Sequence, residues 1–548
     1  MLLVQSLLLL AMSWGAPGSP VSTKEAHFQS NIRIDSAEAR EWRDDLHYLA
    51  ENLPLVHKNA FHAVGREQFE AAVKRLDSRI PELNRDQIIV EMVKIVAMIG
   101  DGHTRMEPAF SPKIRFRRFP VTFYFFKDGL FVISATPDYA DAVGGRVVKL
   151  GRASADELFQ ALEATIGHES EMWVKSEGAP VLSTPEMLHG LGIIDNPDQA
   201  ELIVEKDGRQ RAFQLRPSAA GSGSESIDMR SAAKGPAPLW QTEPHNNYWF
   251  KYLEDSRSVY LKYNVVQNKQ DESLAQFFDR VFAFIAANPV DRLIIDLRTN
   301  GGGNNGLNWP LIYDIIRSDK INQRGRLFAI IGRGTFSAAQ NCVNALERHT
   351  RVIFAGEPTG SAPNAYGDPT RLSLPNSGIS VFVSTLFWQD VDPRDNRPWT
   401  APEIAAELTS KDYKENNDPA LSAVMSYTPI PGLSDIVMEA LAQNDLQLAA
   451  RRYQEYRADK VHFYADTERA INTIGYRLIQ MKRYDQAVAV LSWNVRDYPN
   501  SANAYDSLAE AYMNAGNKEM AIKNYERAVE LNPRNLAAVE QLRKLKNR

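Results

Sequence analysis

From residue 247 to 388, apolar runs of strand length alternate with amphipathic stretches of helix length, and this alternation restricts the fold more than any other feature. SVYLKYNVV, DRLIIDLR, LFAIIG and RVIFAGE have the apolar, β-branched centres of buried strands. Between them, 272–287, 307–318 and the stretch after Ser337 carry helical patterns. The pattern predicts an α/β layer with a substantially parallel sheet, because parallel neighbours need a crossover that is usually helical.

The flanks differ in character. Segment 35–110 repeats apolar residues at helical intervals in WRDDLHYLAENL, REQFEAAVKRLDSRI and RDQIIVEMVKIVAMIG. Segment 111–217 is strand-like in VTFYFF, GLFVISA, GRVVKL and AELIVE, with one helix at SADELFQALEATI. The Gly, Ser, Ala and Pro of 218–240 predict a linker or long loop before a core spanning 241–425. In 433–548, a shift of 34 residues aligns Gly475 with Ala509, Leu491 with Tyr525 and Pro499 with Pro533. That period is the signature of tetratricopeptide helix pairs, with clear repeats at 468–501 and 502–535 and a degenerate third expected from 433. Such arrays bind proteins, so a protein partner is expected there.

Bulk properties exclude several classes. A net charge of −5 over 548 residues, with no basic run, argues against a nucleic-acid partner. The single cysteine, Cys342, excludes an intrachain disulfide and a multi-cysteine zinc site, and no second histidine follows His103 at ligand spacing. No metal and no cofactor are expected. The apolar run Leu7–Met12, followed by small residues and prolines, reads 1–20 as a signal peptide and the protein as exported, periplasmic or extracellular. No apolar stretch reaches the length of a transmembrane segment.

Three glycine-marked stretches could carry chemistry, and each has a plain alternative. DRLIIDLRTNGGGNNG ends a strand in Gly301, Gly302 and Gly303, whose amides could hold an oxyanion or simply close a turn. It lacks the lysine and spacing of a phosphate loop. In MIGDGHTRM, His103 follows a glycine turn and is either a proton acceptor or a structural side chain, and Asp101 could serve the turn's own amides. In LFAIIGRGTFSAAQ, Ser337 either caps the following helix or stands at a strand-to-helix turn as a nucleophile.

In order, these stretches resemble the serine peptidases of the carboxyl-terminal processing protease and tricorn type. The matches are Asp-Gly-His-Thr at 101–104; Asp296, Arg298, Asn300, Gly302 and Gly303; Thr335, Ser337, Ala338 and Ala339; and Gly356, Glu357, Thr359 and Gly360. The resemblance implies a multidomain α/β fold: a helical N-terminal domain, a PDZ-like β-rich module over 111–217, a crotonase/ClpP-like catalytic core and the repeats. A stretch around 166–195 departs from it as an insert. The implied activity is hydrolysis of polypeptide substrates by a serine-type peptidase.

Ser337 is the implied nucleophile and His103 its base, since the chain has no lysine between Lys320 and Lys411, where a serine–lysine pair would need one. Asp395 is the implied acid, with Asp390 and Asp392 as competitors, and the backbone amides of Ala338 and of Gly302 or Gly303 are the implied oxyanion donors. A histidine base of ordinary pKa, ~6.5, places the acidic limb of the rate profile near neutral pH. Two other readings remain open at this point: a catalytically silent binding protein using the PDZ-like and repeat modules, and a nonpeptide serine hydrolase.

Overall fold

The computed structural model describes residues 34–111, 113–114, 116–218, 225–429 and 431–547, so the expected signal peptide at 1–20 lies outside the described residues. The described residues up to 402 together with 406–426 form one compact unit, and 403–405 with the described residues from 427 form another.

The first unit opens with helices α1 (Ser36–Val56), α2 (Arg66–Arg79) and α3 (Arg85–Ala97). Asp35 caps α1 by accepting the Ala37 and Glu38 amides, and Asn84 forms a capping box with Gln87 on α3. Trp42, Leu46, Leu49 and Leu53 recur at helical spacing on α1 and are buried. Strand β1 (Arg105–Glu107) follows the Asp-Gly-His-Thr turn and pairs with β15 (Ser380–Trp388), so this helical segment ends inside a sheet formed with much later sequence.

The β-rich module consists of β2 (Val121–Phe126), β3 (Gly129–Ala135), β4 (Arg146–Leu150), β5 (Ala153–Ser154), helices α4 (Ala155–Glu163), α5 (Glu171–Val181) and α6 (Pro185–Gly190), then β6 (Ala200–Lys206) and β7 (Arg209–Leu215). Its main strand order is β2-β3-β4-β6-β7. The insert around 166–195 therefore supplies two helices. Part of the expected linker also joins this sheet: β8 (Ile227–Asp228) pairs with β3, and the next residue, Met229, is buried.

The α/β core has the expected alternation: β9 (Tyr248–Leu253), β10 (Ser258–Tyr263), α7 (Leu274–Ala287), β11 (Arg292–Asp296), α8 (Trp309–Arg317), β12 (Leu327–Ile331), α9 (Ala338–His349) and β13 (Ile353–Gly356). The strands run β13-β12-β11-β10-β9, with β10 to β13 parallel and β9 antiparallel to β10. Leu293, Ile294, Ile295, Leu327, Phe328 and Ile330 are fully buried, each worth about 1.5–3 kcal/mol of apolar burial. A hairpin of β14 (Ala365–Ser373) and β15 (Ser380–Trp388) follows, giving the sheet β1-β15-β14. Short helices α10 (Ser410–Lys414) and α11 (Pro419–Met425) close the unit.

The second unit is all helical from α12 to α18: Leu433–Ala442, Leu446–Ala458, Thr467–Gln480, Tyr484–Asp497, Ala502–Asn514, Lys518–Leu531 and Leu536–Lys546. The period of 34 has a packing cause. A Cβ on Gly475 would lie 2.4 Å from the Leu491 side chain, and one repeat later buried Ala509 clusters with buried Tyr525. A small residue on the first helix makes room for a large one on the second.

Candidate active site

Ser337 closes the turn between β12 and α9. A capping serine takes extended backbone and accepts an amide of the first helical turn. Ser337 does neither: it sits at φ 55°, ψ −127° and its side chain caps nothing. Strained backbone of this kind costs about 1–3 kcal/mol and persists only where its surroundings over-determine it. Thr335 Oγ1 donates to the Leu297 carbonyl at 2.9 Å and accepts the Gly332 amide at 3.1 Å. The Phe336 amide donates to the Asn300 carbonyl at 3.0 Å, and Asn308 Nδ2 donates to the Ala338 carbonyl at 2.8 Å. The turn is thus tied on both sides of the serine to the chain that follows β11.

That chain is the glycine stretch. Beneath it Asp296 is fully buried among Tyr260 Oη at 2.6 Å, Lys262 Nζ at 3.2 Å and Arg298 at 2.9 Å, and Arg298 also pairs with Asp418 at 2.9 Å. Burial would raise the Asp296 pKa, but Arg298, Lys262 and Tyr260 hold it at about 2. Asn300 then shapes the turn, with Nδ2 donating to the Tyr263 carbonyl at 3.0 Å and Oδ1 accepting the Gly302 amide at 2.9 Å. A Cβ on Gly302, where φ is +109°, would lie 2.7 Å from Ser337 Cβ and 2.9 Å from the Ala338 nitrogen. Only glycine permits this approach.

Because the Gly302 amide is committed to Asn300, it is not the free donor the sequence suggested; its role is close packing. The Gly303 and Ala338 amides have no hydrogen-bond partner among the described residues, and Ala338 opens α9, where the helix dipole favours negative charge.

His103 lies on the turn between α3 and β1. Asp101 builds that turn, accepting the His103 and Thr104 amides at 3.0 and 2.8 Å, His57 Nε2 at 2.9 Å and Ser384 Oγ at 2.7 Å. Burial pushes the Asp101 pKa up, but hydrogen bonds from His57, Ser384 and Thr104 outweigh it and hold the group at about 2. The His103 ring packs on Phe336 with centroids 4.5 Å apart, one residue before Ser337. Burial lowers the His103 pKa to about 4, against the upward pull of Asp101 and Asp368. This corrects the expectation of an ordinary value: the sequence shows the histidine but not the aromatic cover that dries it. Its Nδ1 is buried without a hydrogen-bond partner among the described residues.

Ser337, His103, Gly302, Gly303 and Ala338 line one cavity of about 1800 Å³, with no hydrogen bond between Ser337 and His103 among the described residues. Asp395 does not line it. Its carboxylate takes Arg397 at 2.8 Å, and Arg397 is held in turn by Glu347 at 2.9 Å. Asp392 pairs with Arg394, and Asp390 accepts from Asn344 Nδ2 at 3.0 Å. None of these three aspartates is among the groups that act on the His103 ring. The acids that act on the ring are Asp101, through the turn, and Asp368, at φ 50° on the cavity wall. Sequence reading missed Asp368, Phe336 and Trp173; the glycine preceding Asp368 and the tryptophan in the insert were the available signals.

The remaining motif serves as scaffold. Arg333, in the loop before Ser337, forms a buried pair with Glu357 at 2.8 Å and donates from Nη1 to the Phe125 carbonyl of β2 at 2.6 Å. The Gly360 amide donates to the Thr335 carbonyl at 3.1 Å. These bonds tie the Ser337 loop to the β-rich module and to the stretch after β13.

The fold is shared with mature CPAF. The complex of that protein with lactacystin aligns over 76% of this chain and 100% of its own, at 12% identity and a TM-score of 0.51. A second structure of mature CPAF aligns over 75% and 99%, at 13% identity and a TM-score of 0.50. The photosystem II D1 C-terminal processing protease aligns over 72% and 97%, at 14% identity and a TM-score of 0.32. Residues 502–535 match the tetratricopeptide repeat family. No curated protein matches the chain by sequence. Among the described residues, no helix is long and apolar enough to cross a membrane.

Proposed function

We propose that this protein is an exported serine peptidase that hydrolyses polypeptide substrates, with Ser337 as nucleophile and His103 as general base. The observation that carries the reading is the backbone of Ser337: positive φ, no capping bond, and a glycine packed 2.7 Å away by its virtual Cβ. A silent binding protein gains nothing from holding a serine in that strained conformation. The oxygen attacks the scissile carbonyl while the neutral imidazole takes its proton. The amides of Ala338 and Gly303 hold the oxyanion, the leaving amine departs with the proton from His103, and water then releases the acyl group. Asp101 fixes the turn carrying the base, and Asp368 favours the imidazolium formed during attack. Asp395 stays with Arg397 as structure.

In the same proposal the 111–217 module is PDZ-like and the helical repeats dock a protein partner. The segment 1–20 directs export. The test is a fluorophosphonate probe with a casein hydrolysis assay. Wild type should label and hydrolyse, whereas Ser337→Ala should do neither while melting at nearly the wild-type temperature. Full labelling of that variant overturns the assignment.

A further inference from the structure

The insert that departs from the sequence resemblance lies against the turn that carries His103, the loop that carries Ser337 and the stretch after β13. At Gly167 the chain runs so close to the base-bearing turn that a Cβ would lie 2.5 Å from the Asp101 carbonyl oxygen and 2.8 Å from that of Thr104. Glu169 Oε2 accepts the Gly102 amide at 3.2 Å, one residue before His103. Ser170 Oγ donates to the Gly360 carbonyl at 3.1 Å, on the stretch after β13. Trp173, in the first turn of α5, stacks on Phe336 with centroids 3.7 Å apart and planes 11° apart. A Cβ on Gly102 would meet Phe336 at 2.7 Å and Trp173 Nε1 at 3.0 Å, and one on Gly360 would meet the Arg333 carbonyl oxygen at 2.3 Å and Trp173 at 3.0 Å. Phe336 and this tryptophan occupy the space at Gly102, and at Gly360 the tryptophan adds to the closer Arg333 carbonyl.

We infer that residues 167–173 are the element that holds the base and the nucleophile in register, with Glu169 and Trp173 as its positioning residues. The inference rests on Ser337 and His103 being the reacting pair. Its physical need is plain. The base-bearing turn is bonded to Ser384 and, through β1, to β15, whereas the nucleophile turn is bonded to the chain after β11. His103 and Ser337 share no hydrogen bond, so their spacing is set by packing through Phe336. Trp173 and His103 both pack on that ring. A displacement of about 1 Å between reacting groups can cost ~10²-fold in rate.

Glu169 gives this element a pH signature. Burial, and then the charge of Asp101, raise its pKa to about 8, despite the Gly102 amide. Its Oε1 is buried without a hydrogen-bond partner among the described residues. The group facing it from the base-bearing turn is ionised Asp101, itself held by His57; His168 and Glu171 are the titratable groups nearest it in sequence. At neutral pH Glu169 is an uncharged acceptor. Its folded pKa lies above the ordinary value, so docking weakens as pH rises and is lost through about 8. Above that, two buried carboxylates would face each other.

The experiment uses the full chain, fluorophosphonate labelling rates and casein turnover. Trp173→Ala should slow labelling and kcat by ~10²-fold with KM little changed, and Trp173→Phe should restore most of the rate. Glu169→Gln keeps an acceptor but cannot ionise; it should retain the neutral-pH rate and lose the alkaline limb that wild type shows near pH 8. A folded Trp173→Ala that labels through Ser337 at the wild-type rate overturns the inference. So does a Glu169→Gln protein that keeps the wild-type alkaline limb, a result that does not depend on Trp173→Ala folding. Labelling that persists in Ser337→Ala overturns instead the serine–histidine reading, and the inference with it.

Discussion

Acid is the sharpest probe of this site. An exposed histidine base titrates near ~6.5 and would be only about 9% neutral at pH 5.5. With the ring buried against Phe336 and its pKa lowered to about 4, roughly 97% remains neutral at that pH. The expected kcat/KM for a quenched fluorescent peptide is therefore almost flat from pH 7 to 5.5, with an acidic midpoint near 4. The same shift has a stability consequence. The unfolded chain takes up the proton first, so stability is lost as pH falls from ~6.5 to about 4, by about 3 kcal/mol in all. Thermal unfolding across that range should follow it. Two other groups need separating. Asp101, held at about 2, stays ionised throughout, while Glu177 on the cavity wall is raised to about 7 by burial and can perturb substrate binding there. A step near 7 that vanishes in Glu177→Gln belongs to that carboxyl. A main midpoint near 6.5 that survives Glu177→Gln would refute the reasoning, because the working base would then be either solvated or not His103.

Gly302→Ala places a methyl group 2.7 Å from Ser337 Cβ at a φ of +109°, so turnover should drop by at least the ~10²-fold typical of a lost oxyanion donor; near-normal casein hydrolysis would contradict the packing described. Asp395→Ala should leave kcat unchanged and lower the melting temperature, since it frees Arg397 rather than His103; a large fall in kcat without destabilisation would restore Asp395 to catalysis. Gly475→Val should overpack against Leu491 and cost the helical repeats about 1–3 kcal/mol, seen by calorimetry, with peptide turnover unaffected.

Residues whose role is set by a local turn were readable, and residues whose role is set by long-range packing were not. The alternation from β10 to β13 and the glycine turns appear in sequence because a parallel buried strand must be apolar and a close backbone approach must be glycine. Ser337 and His103 were singled out the same way, each beside a glycine-marked turn, and both line the one cavity. Trp173 and Glu169 were invisible because the insert helix meets Phe336 and Gly102 only in three dimensions. The miss at Asp395 is different, since the sequence did carry a warning. Of seven aspartates followed two residues later by arginine, Asp228–Arg230, Asp296–Arg298, Asp392–Arg394 and Asp395–Arg397 close on themselves as ion pairs of 2.8 or 2.9 Å, whereas Asp77 pairs instead with Arg43 and Arg257 with Asp291. In extended or turning backbone, residues two apart can share a face, and the guanidinium reaches the nearest carboxylate before any distant histidine can. An arginine two residues after a candidate catalytic aspartate is therefore a competing partner to weigh before a distant histidine. Asp368, with Thr370 in the second position, has no such arginine; its carboxylate accepts from Trp388 Nε1, and its charge reaches His103 from the cavity wall.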